Sequence, residues 1–388
     1  MTAVAAARIR PADADACARA VAEASNARRT FRVRGGGTKD YLGELLPVDA
    51  VLETGAMAGI VAHVPADLTV TVAAGTRFAE VRAALAAAGQ FLPLDPQHAE
   101  AATIGGVVAA NSNGFWRARY GGVRDLLIGT ASALADGSVV RSGGRVVKNV
   151  AGYDLNKLFT GSLGTLGVLV ECTFKVLPLP AVSAGARARF ARPADAFAVT
   201  EALVRTSARP AALAVSGSRG SWDVLLQADG EAAPVGRTIE LLTGAATERG
   251  ASAQRDDLIA TEIATLRDMP AEEGGVLVRA ALPLAAQTAF AATAARLEGF
   301  ARLGADAASG IVLVRLQGDD ASMIAGADTL LAAAGVCGGS ARIERRPESL
   351  RTRLAAWGDA EPAGRFLMRR LKDAFDPNGV LEPGRSAI

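Results

Sequence analysis

The 388-residue sequence is poor in the residue types from which compact chemical sites are usually built. It contains two histidines and three cysteines. Cys17, Cys172 and Cys337 are odd in number and far apart, so they make neither a disulfide framework nor a clustered zinc or iron–sulfur site, and they point to a reducing cytoplasm. His63 and His98 each lack a second histidine nearby, which sets aside a histidine-rich zinc or iron centre. His63 sits in an apolar, strand-like context and His98 in a polar loop, so structural roles are expected for both. An excess of charge is also missing: 42 Lys and Arg against 40 Asp and Glu leave +2, and bulk attraction to nucleic acid is not encoded. No charge-free apolar run approaches the ~20 residues of a membrane span. The short apolar patch at the N-terminus is broken by Arg8, Arg10, Asp13 and Asp15, so neither export nor insertion is expected. There is no G-x-G-x-x-G after a strand and no Gly-Lys-Ser/Thr loop, which removes the common dinucleotide and ATP-binding signatures.

What the chain has in abundance is glycine. The count is 42 of 388, about 11% against a typical ~7%, and the clusters fall in the first half: Gly35 to Gly37, Gly105 and Gly106, Gly121 and Gly122, Gly143 and Gly144, then Gly161, Gly164 and Gly167. Such residues serve where backbone turns with positive φ or approaches something closely, so the first half is expected to surround a large ligand.

The local patterns organise this half. A helix is expected over 11–29 and a strand over 31–34 that runs into Gly35-Gly36-Gly37-Thr38. Strands at 51–54 and 68–72 follow, then a helix capped by Thr76, with Phe78, Val81 and Leu85 on one face and Gly89 closing it. Prolines around Leu92-Pro93-Leu94-Asp95-Pro96 forbid a regular ladder. A hairpin is expected at Asp136-Gly137, a short helix over 155–159 capped by Asp154, and an apolar strand over 168–177. The second half alternates strands (182–190, 211–217, 222–228, 275–282, 311–317, 341–345) with helices (193–206, 235–250, 284–302, 320–335). This is an α+β pattern, an antiparallel sheet with helices on one face. A last helix over 363–375 precedes Asp376-Pro377-Asn378-Gly379. Trp116, Trp222 and Trp357 form no cofactor pattern and are expected in the core or on a partner surface.

The glycine sites form an ordered series. Arg34 and the triple glycine offer a guanidinium, open N–H groups and the Thr38 hydroxyl to a pyrophosphate, although an ordinary flexible turn would look the same. Thr103-Ile104-Gly105-Gly106 follows with Asn111, Asn113 and Gly114. Tyr120-Gly121-Gly122-Val123-Arg124-Asp125, Lys148-Asn149-Val150-Ala151-Gly152-Tyr153-Asp154 and Gly161-Ser162-Leu163-Gly164-Thr165-Leu166-Gly167 complete it. This ordering resembles the vanillyl-alcohol oxidase, or p-cresol methylhydroxylase-type, FAD-binding superfamily, densely over the first 180 residues and again in Phe375-Asp376-Pro377-Asn378-Gly379-Val380-Leu381-Glu382-Pro383-Gly384-Arg385. The resemblance implies an α+β chain with a two-subdomain FAD-binding domain over 1–180, a smaller antiparallel α+β domain over 181–375, and a tail, 376–388, returning toward the flavin. It further implies FAD held through Arg34, Gly35, Gly36, Gly37 and Thr38 at the pyrophosphate. Pro93, Leu94, Asp95, Thr103, Gly105, Gly106, Ala110, Asn111 and Gly114 would lie along the ribityl and ring path, and Gly164, Thr165, Gly167 and Val168 at the adenosine or flavin.

Within the superfamily the 148–167 run is similar to the branch that oxidises D-2-hydroxy acids such as glycolate and D-lactate. Three departures qualify this, one being Ser162-Leu163-Gly164 where typical hydroxy-acid dehydrogenases show Ser-Glu-Gly. Thr38 stands where covalent members carry a flavin-linking histidine, which implies non-covalent FAD. No histidine occurs after His98, so the second half lacks the His-x-Gly-Asp-Gly-Asn-x-His pattern that supplies metal ligands and a base in those enzymes, and no catalytic or metal residue is assigned here. The chain is therefore similar to the FAD-binding subunits of glycolate-oxidising complexes, which convert glycolate to glyoxylate beside a related catalytic flavin subunit and an iron–sulfur subunit. In that reading it relays electrons or supports its partner, in the cytoplasm or at the inner membrane face through its partners. Two alternatives stay open: a self-sufficient FAD-dependent D-2-hydroxy-acid dehydrogenase, and a non-enzymatic assembly subunit on the same frame.

Overall fold

The computed structural model describes residues 6–144, 154–357 and 364–387. The chain divides into two compact units. The first is made of Met1–Asn113, Gly121–Leu179 and Ala360–Ile388, the second of Gly114–Tyr120 and Pro180–Asp359. Two segments thus differ from the sequence-based division: the last helix belongs to the first unit, and Gly114–Tyr120 belongs to the second.

The first unit contains the strands Ala7–Ile9 (β1), Phe31–Arg34 (β2), Ala50–Glu53 (β3), Ile60–Val64 (β4), Thr69–Ala73 (β5), Gln90–Phe91 (β6), Leu127–Ala133 (β7), Val139–Gly143 (β8), Val168–Lys175 (β9) and Leu177–Pro178 (β10). They form a parallel three-stranded sheet, β1-β3-β2, an antiparallel five-stranded sheet, β4-β5-β9-β7-β8, and a small β6-β10 ladder. Helix Ala14–Asn26 is started by Asp13, whose carboxylate accepts the Ala16 N–H at 2.7 Å, the usual way of satisfying a first-turn donor. Its buried Cys17, Val21 and Ala24 recur at helical spacing and pack with Phe31, Leu52, Val168 and Val170. A second core joins Val70, Val72, Phe78, Val81, Leu85, Ile104 and Phe174. Each fully buried side chain of this size contributes about 1.5–3 kcal/mol, and together the two cores sandwich the five-stranded sheet.

Three local expectations change. The sequence puts Thr76 at the cap of the helix Phe78–Ala87, but Arg77 holds that position. The Thr76 hydroxyl donates to the Ala73 carbonyl at 2.7 Å and accepts the Gly59 N–H at 2.8 Å, because the preceding turn offers it nearer partners. Asp154 holds the cap position of the helix Leu155–Phe159, but its side chain makes no cap hydrogen bond, the carboxylate pairing instead with Lys157 Nζ at 3.0 Å. Where the sequence shows only a glycine segment, the structure forms a short helix, Ile104–Ala109, opened by the Thr103 side chain.

The second unit contains Val182–Phe190 (β11), Ala212–Ser218 (β12), Ser221–Gly230 (β13), Ala253–Arg255 (β14), Val276–Ala281 (β15), Phe300–Asp306 (β16), Ile311–Leu316 (β17) and Ser340–Arg345 (β18). They make one antiparallel sheet in the order β14-β11-β13-β12-β16-β17-β15-β18. Strand alternation puts Leu213, Val215, Val224, Val278 and Val314 on one face, in a core with Phe197, Leu242, Phe290 and Leu330 from four helices. The opposite face is also covered, contrary to the one-sided expectation: Ala214, Leu225, Leu277 and Leu313 pack against Ile259, Ile263 and Leu266 of helix Ile259–Arg267 and against Phe115. Trp222 is a core residue, stacked on Phe300 with ring centroids 6.2 Å apart.

The chain then re-enters the first unit. In helix Arg365–Phe375, Lys372 Nζ donates to the carbonyls of Thr165 and Leu381, each at 2.9 Å, and pairs with Asp376 at 2.5 Å. The Phe375 ring meets Phe159 edge-on at 6.0 Å. Beyond it, the Phe31 N–H donates to the Val380 carbonyl at 2.9 Å and the Glu382 N–H to the Phe31 carbonyl at 3.0 Å. The tail thereby lies parallel beside β2.

Candidate functional site

One cleft of the first unit gathers the glycine segments. Its empty space, open mouth included, is about 710 Å³. Its first wall is the loop after β2. The backbone N–H groups of Gly35, Gly36, Gly37 and Thr38 donate to no other described residue, and Gly37 is left-handed at φ +71°. Consecutive open amides around a left-handed residue form an anion-binding concavity.

The absence of side chains at Gly35 and Gly36 has a nearer cause than ligand approach. A Cβ on Gly36 would lie 1.9 Å from the Ala101 carbonyl oxygen, and one on Gly35 would lie 2.1 Å from Thr103 Oγ1. Both glycines let the first wall close on the second. That second wall is the Thr103-capped helix, contributing Gly105, Gly106, Ala109 and Ala110. The Gly105 N–H is held by the Ala74 carbonyl at 2.7 Å.

The third wall is Leu163, Gly164, Gly167, Val168 and Leu169. Leu163 and Gly164 are left-handed in succession, at φ +54° and +79°. The Leu163 N–H donates to the Ala109 carbonyl at 2.8 Å, which joins this wall to the second. The fourth wall is the tail, through Glu382 and Arg385.

Of the residues expected at the cofactor, the structure brings together Arg34, Gly35, Gly36, Gly37, Thr38, Thr103, Gly105, Gly106, Ala110, Gly164, Gly167 and Val168. Six lie outside the lining. Pro93, Leu94 and Asp95 are buried in the loop after β6. Asn111 is left-handed at φ +46°, and its oxygens hold Asn113 Nδ2. Thr165 donates its hydroxyl to the Ser162 carbonyl at 2.6 Å, and Gly114 belongs to the second unit. The motif residues Lys148 to Tyr153 lie outside the described residues. His63 Nε2 meets Gln90 Oε1 at 2.9 Å, a local structural role. Sequence reasoning did not assign Lys39, Asp40, Thr54, Leu163, Glu382 or Arg385 to the lining. For the last two the signal was the 375–385 segment, whose resemblance already implied a tail returning toward the flavin without saying which of its side chains reach the cleft.

The cleft is electrostatically mixed. Arg34 Nε pairs with Asp40 at 2.9 Å, both half-exposed, so this pair contributes little stability and can re-form around an incoming anion. Lys39 Nζ reaches the Gln97 carbonyl at 3.3 Å. Glu382 is 3% exposed. Burial pushes its carboxyl above the ordinary range, while Arg385, the Val33 N–H and Arg32 act in the opposite direction. Four open amides and an exposed guanidinium on a glycine-lined cleft fit a dinucleotide diphosphate. The residues present thus fit FAD.

The comparisons agree. Residues 5–143 match the FAD binding domain family. The chain is 44% identical over 157 residues to glycolate oxidase subunit GlcE of Escherichia coli strain K12, covering 40% of this chain and 44% of that protein. It is 37% identical over 174 residues to glycolate oxidase subunit GlcD of Bacillus subtilis strain 168, covering 44% of this chain and 37% of that protein. The matched segments thus span less than half of those relatives. Among solved structures, p-cresol methylhydroxylase with substrate bound superposes with a TM-score of 0.77 at 17% identity, covering 98% of this chain and 88% of that one, a likeness of fold. The chain therefore carries an FAD binding domain over residues 5–143, on the α+β fold of p-cresol methylhydroxylase, and the cofactor this domain indicates is FAD.

Proposed function

We propose that this chain is the FAD-binding subunit of a glycolate-oxidising complex and that it relays electrons, or supports a partner, beside a related catalytic flavin subunit and an iron–sulfur subunit. The observation that carries the reading is the convergence of the three glycine segments and the tail on one cleft. In it, the amides of Gly35, Gly36, Gly37 and Thr38 and the Arg34 guanidinium hold the pyrophosphate. Gly105, Gly106, Ala110, Gly164, Gly167 and Val168 line the rest of the path, with Thr103 joining the first two walls. Pro93, Leu94, Asp95, Asn111, Gly114 and Thr165 support the path from outside the lining. FAD supplies, when bound, a two-electron acceptor for the oxidation of a 2-hydroxy acid. Thr38 offers no imidazole for a covalent link, and the attachment is non-covalent.

Oxidising glycolate to glyoxylate also requires a base for the hydroxyl proton. No histidine follows His98, and among the described residues no group of His, Cys, Asp and Glu could hold a metal ion. This supports assigning the chemical step to a partner. The similarity to glycolate oxidase subunits favours glycolate over other hydroxy acids. No helix among the described residues is long and apolar enough to cross a membrane.

Anaerobic mixing with glycolate tests the proposal. The flavin of this chain should bleach only when the partner subunits are added. Prompt bleaching of the chain alone, with glycolate or D-lactate, would establish the self-sufficient dehydrogenase instead.

A further inference from the structure

We infer that Glu382 and Arg385 are positioning residues that clasp the glycine loop in its FAD-binding shape, so that the last residues of the chain govern cofactor affinity. This rests on the reading of the cleft as the FAD site. The geometry is a closed circuit around Gly35, Gly36, Gly37 and Thr38. On the entry side, Glu382 Oε1 accepts the Val33 N–H at 2.7 Å, and the tail backbone pairs with Phe31. Across the tail, Glu382 Oε2 accepts from Arg385 Nε at 3.1 Å. On the exit side, Arg385 Nη1 donates to the carbonyls of Lys39 at 2.9 Å and Leu42 at 2.6 Å, and the Glu44 N–H donates to the Gly384 carbonyl at 2.9 Å.

Both ends of the loop are therefore tied to a segment more than 330 positions away in sequence. Within the loop, by contrast, four amides have no described acceptor. A loop whose own donors are open needs external ties to keep them convergent, and a buried carboxylate–guanidinium pair supplies ties that water does not easily replace. Glu382 is itself left-handed at φ +48°, a conformation that persists only where the surroundings impose it. The clasp also touches the third wall, since a Cβ on Gly164 would lie 3.3 Å from Glu382 Cγ.

Reciprocity supplies the test, because a tail that raises FAD affinity must itself be held by FAD. In the full-length chain, E382Q removes the charge opposite Arg385. R385K keeps the charge but shortens the fork that reaches Lys39 and Leu42. FAD affinity is read by quenching of flavin fluorescence, and loop order by tryptic cutting after Arg34 and Lys39, mapped by mass spectrometry with and without FAD. Both variants should bind FAD on the order of 10- to 100-fold more weakly and be cut faster in this loop, with FAD slowing the cuts in the unaltered chain. Equal affinity and equal cutting in a folded variant would overturn the inference. If E382Q does not fold, R385K decides. Failure of the unaltered chain to bind FAD would strike the cofactor reading instead, and cutting without FAD would still judge the clasp.

Discussion

In the first unit, four successive backbone donors after β2 meet no described acceptor, and the nearest charged side chains, Arg34 and Asp40, pair at the surface. In the second unit, one group of charges on the sheet satisfies itself. Arg187 bridges Asp223, Asp256 and Glu262, and Arg189 forks onto Asp223. The buried Arg315 donates to the carbonyls of Met269 and Gly274. Open polar groups mark a surface kept for a ligand, whereas closed networks mark one kept for its own stability. The contrast is between open backbone donors after β2 in the first unit and a closed charge network on the sheet of the second.

The most forceful way to break this contrast is Gly36→Ala. Its Cβ would stand 1.9 Å from the Ala101 carbonyl oxygen, which forces the first two walls apart. Flavin retention should be lost, with a stability cost of about 1–3 kcal/mol. Copurifying flavin absorbance and thermal melting measure the two effects. In the second unit, Asp223→Ala should cost only about 1 kcal/mol, because Arg187 keeps Asp256 and Glu262 and Arg189 is largely exposed, while bound flavin stays unchanged. Urea denaturation with flavin quantitation distinguishes these.

A pH series sharpens the comparison. Burial pushes the Asp223 carboxyl up, but hydrogen bonds from Arg189 and Arg187 outweigh it and hold the group below the ordinary carboxylate value. The folded state then binds this proton less tightly than the unfolded state does. The stability it contributes is present above ~4 and is lost as pH falls through that range toward the folded value. Glu382 behaves in the opposite sense: its raised value means stability is lost as pH rises from ~4 through the folded value. Asp223→Asn should flatten the acid side of the urea-midpoint profile, and Glu382→Gln the side above it. The smallest effect expected is that of Arg34→Ala. It should change stability by less than about 1 kcal/mol, since the Arg34–Asp40 pair is half-exposed, while weakening FAD binding several-fold in a fluorescence titration.

Much of this was legible in the residues. Phe31 to Arg34 running into three glycines set the loop after β2, and the Asp136-Gly137 turn set the β7-β8 hairpin, because turn chemistry is local. The short apolar run Ile311 to Val314 gave β17. Strand β16 was hidden: the sequence pattern reads as helix over 284–302, and only pairing with β12 and β17 turns Phe300–Asp306 into strand. Helix Ile259–Arg267 escaped because its apolar face answers a sheet face that the sequence does not display as buried. In the cleft, glycines announced the walls and the 375–385 segment announced a returning tail, but the ties of Glu382 to Val33 and of Arg385 to Lys39 and Leu42 join residues far apart in sequence, which no local pattern encodes.

The central claim is that the open amides after β2 hold a flavin nucleotide. Titration of the purified full-length chain with FAD, followed in the visible spectrum, tests it most directly. The account predicts saturable uptake of one FAD per chain, with a bound-flavin spectrum that Gly36→Ala abolishes. A chain that takes up no flavin, or one that binds it equally well with the Gly36 position filled, would contradict it.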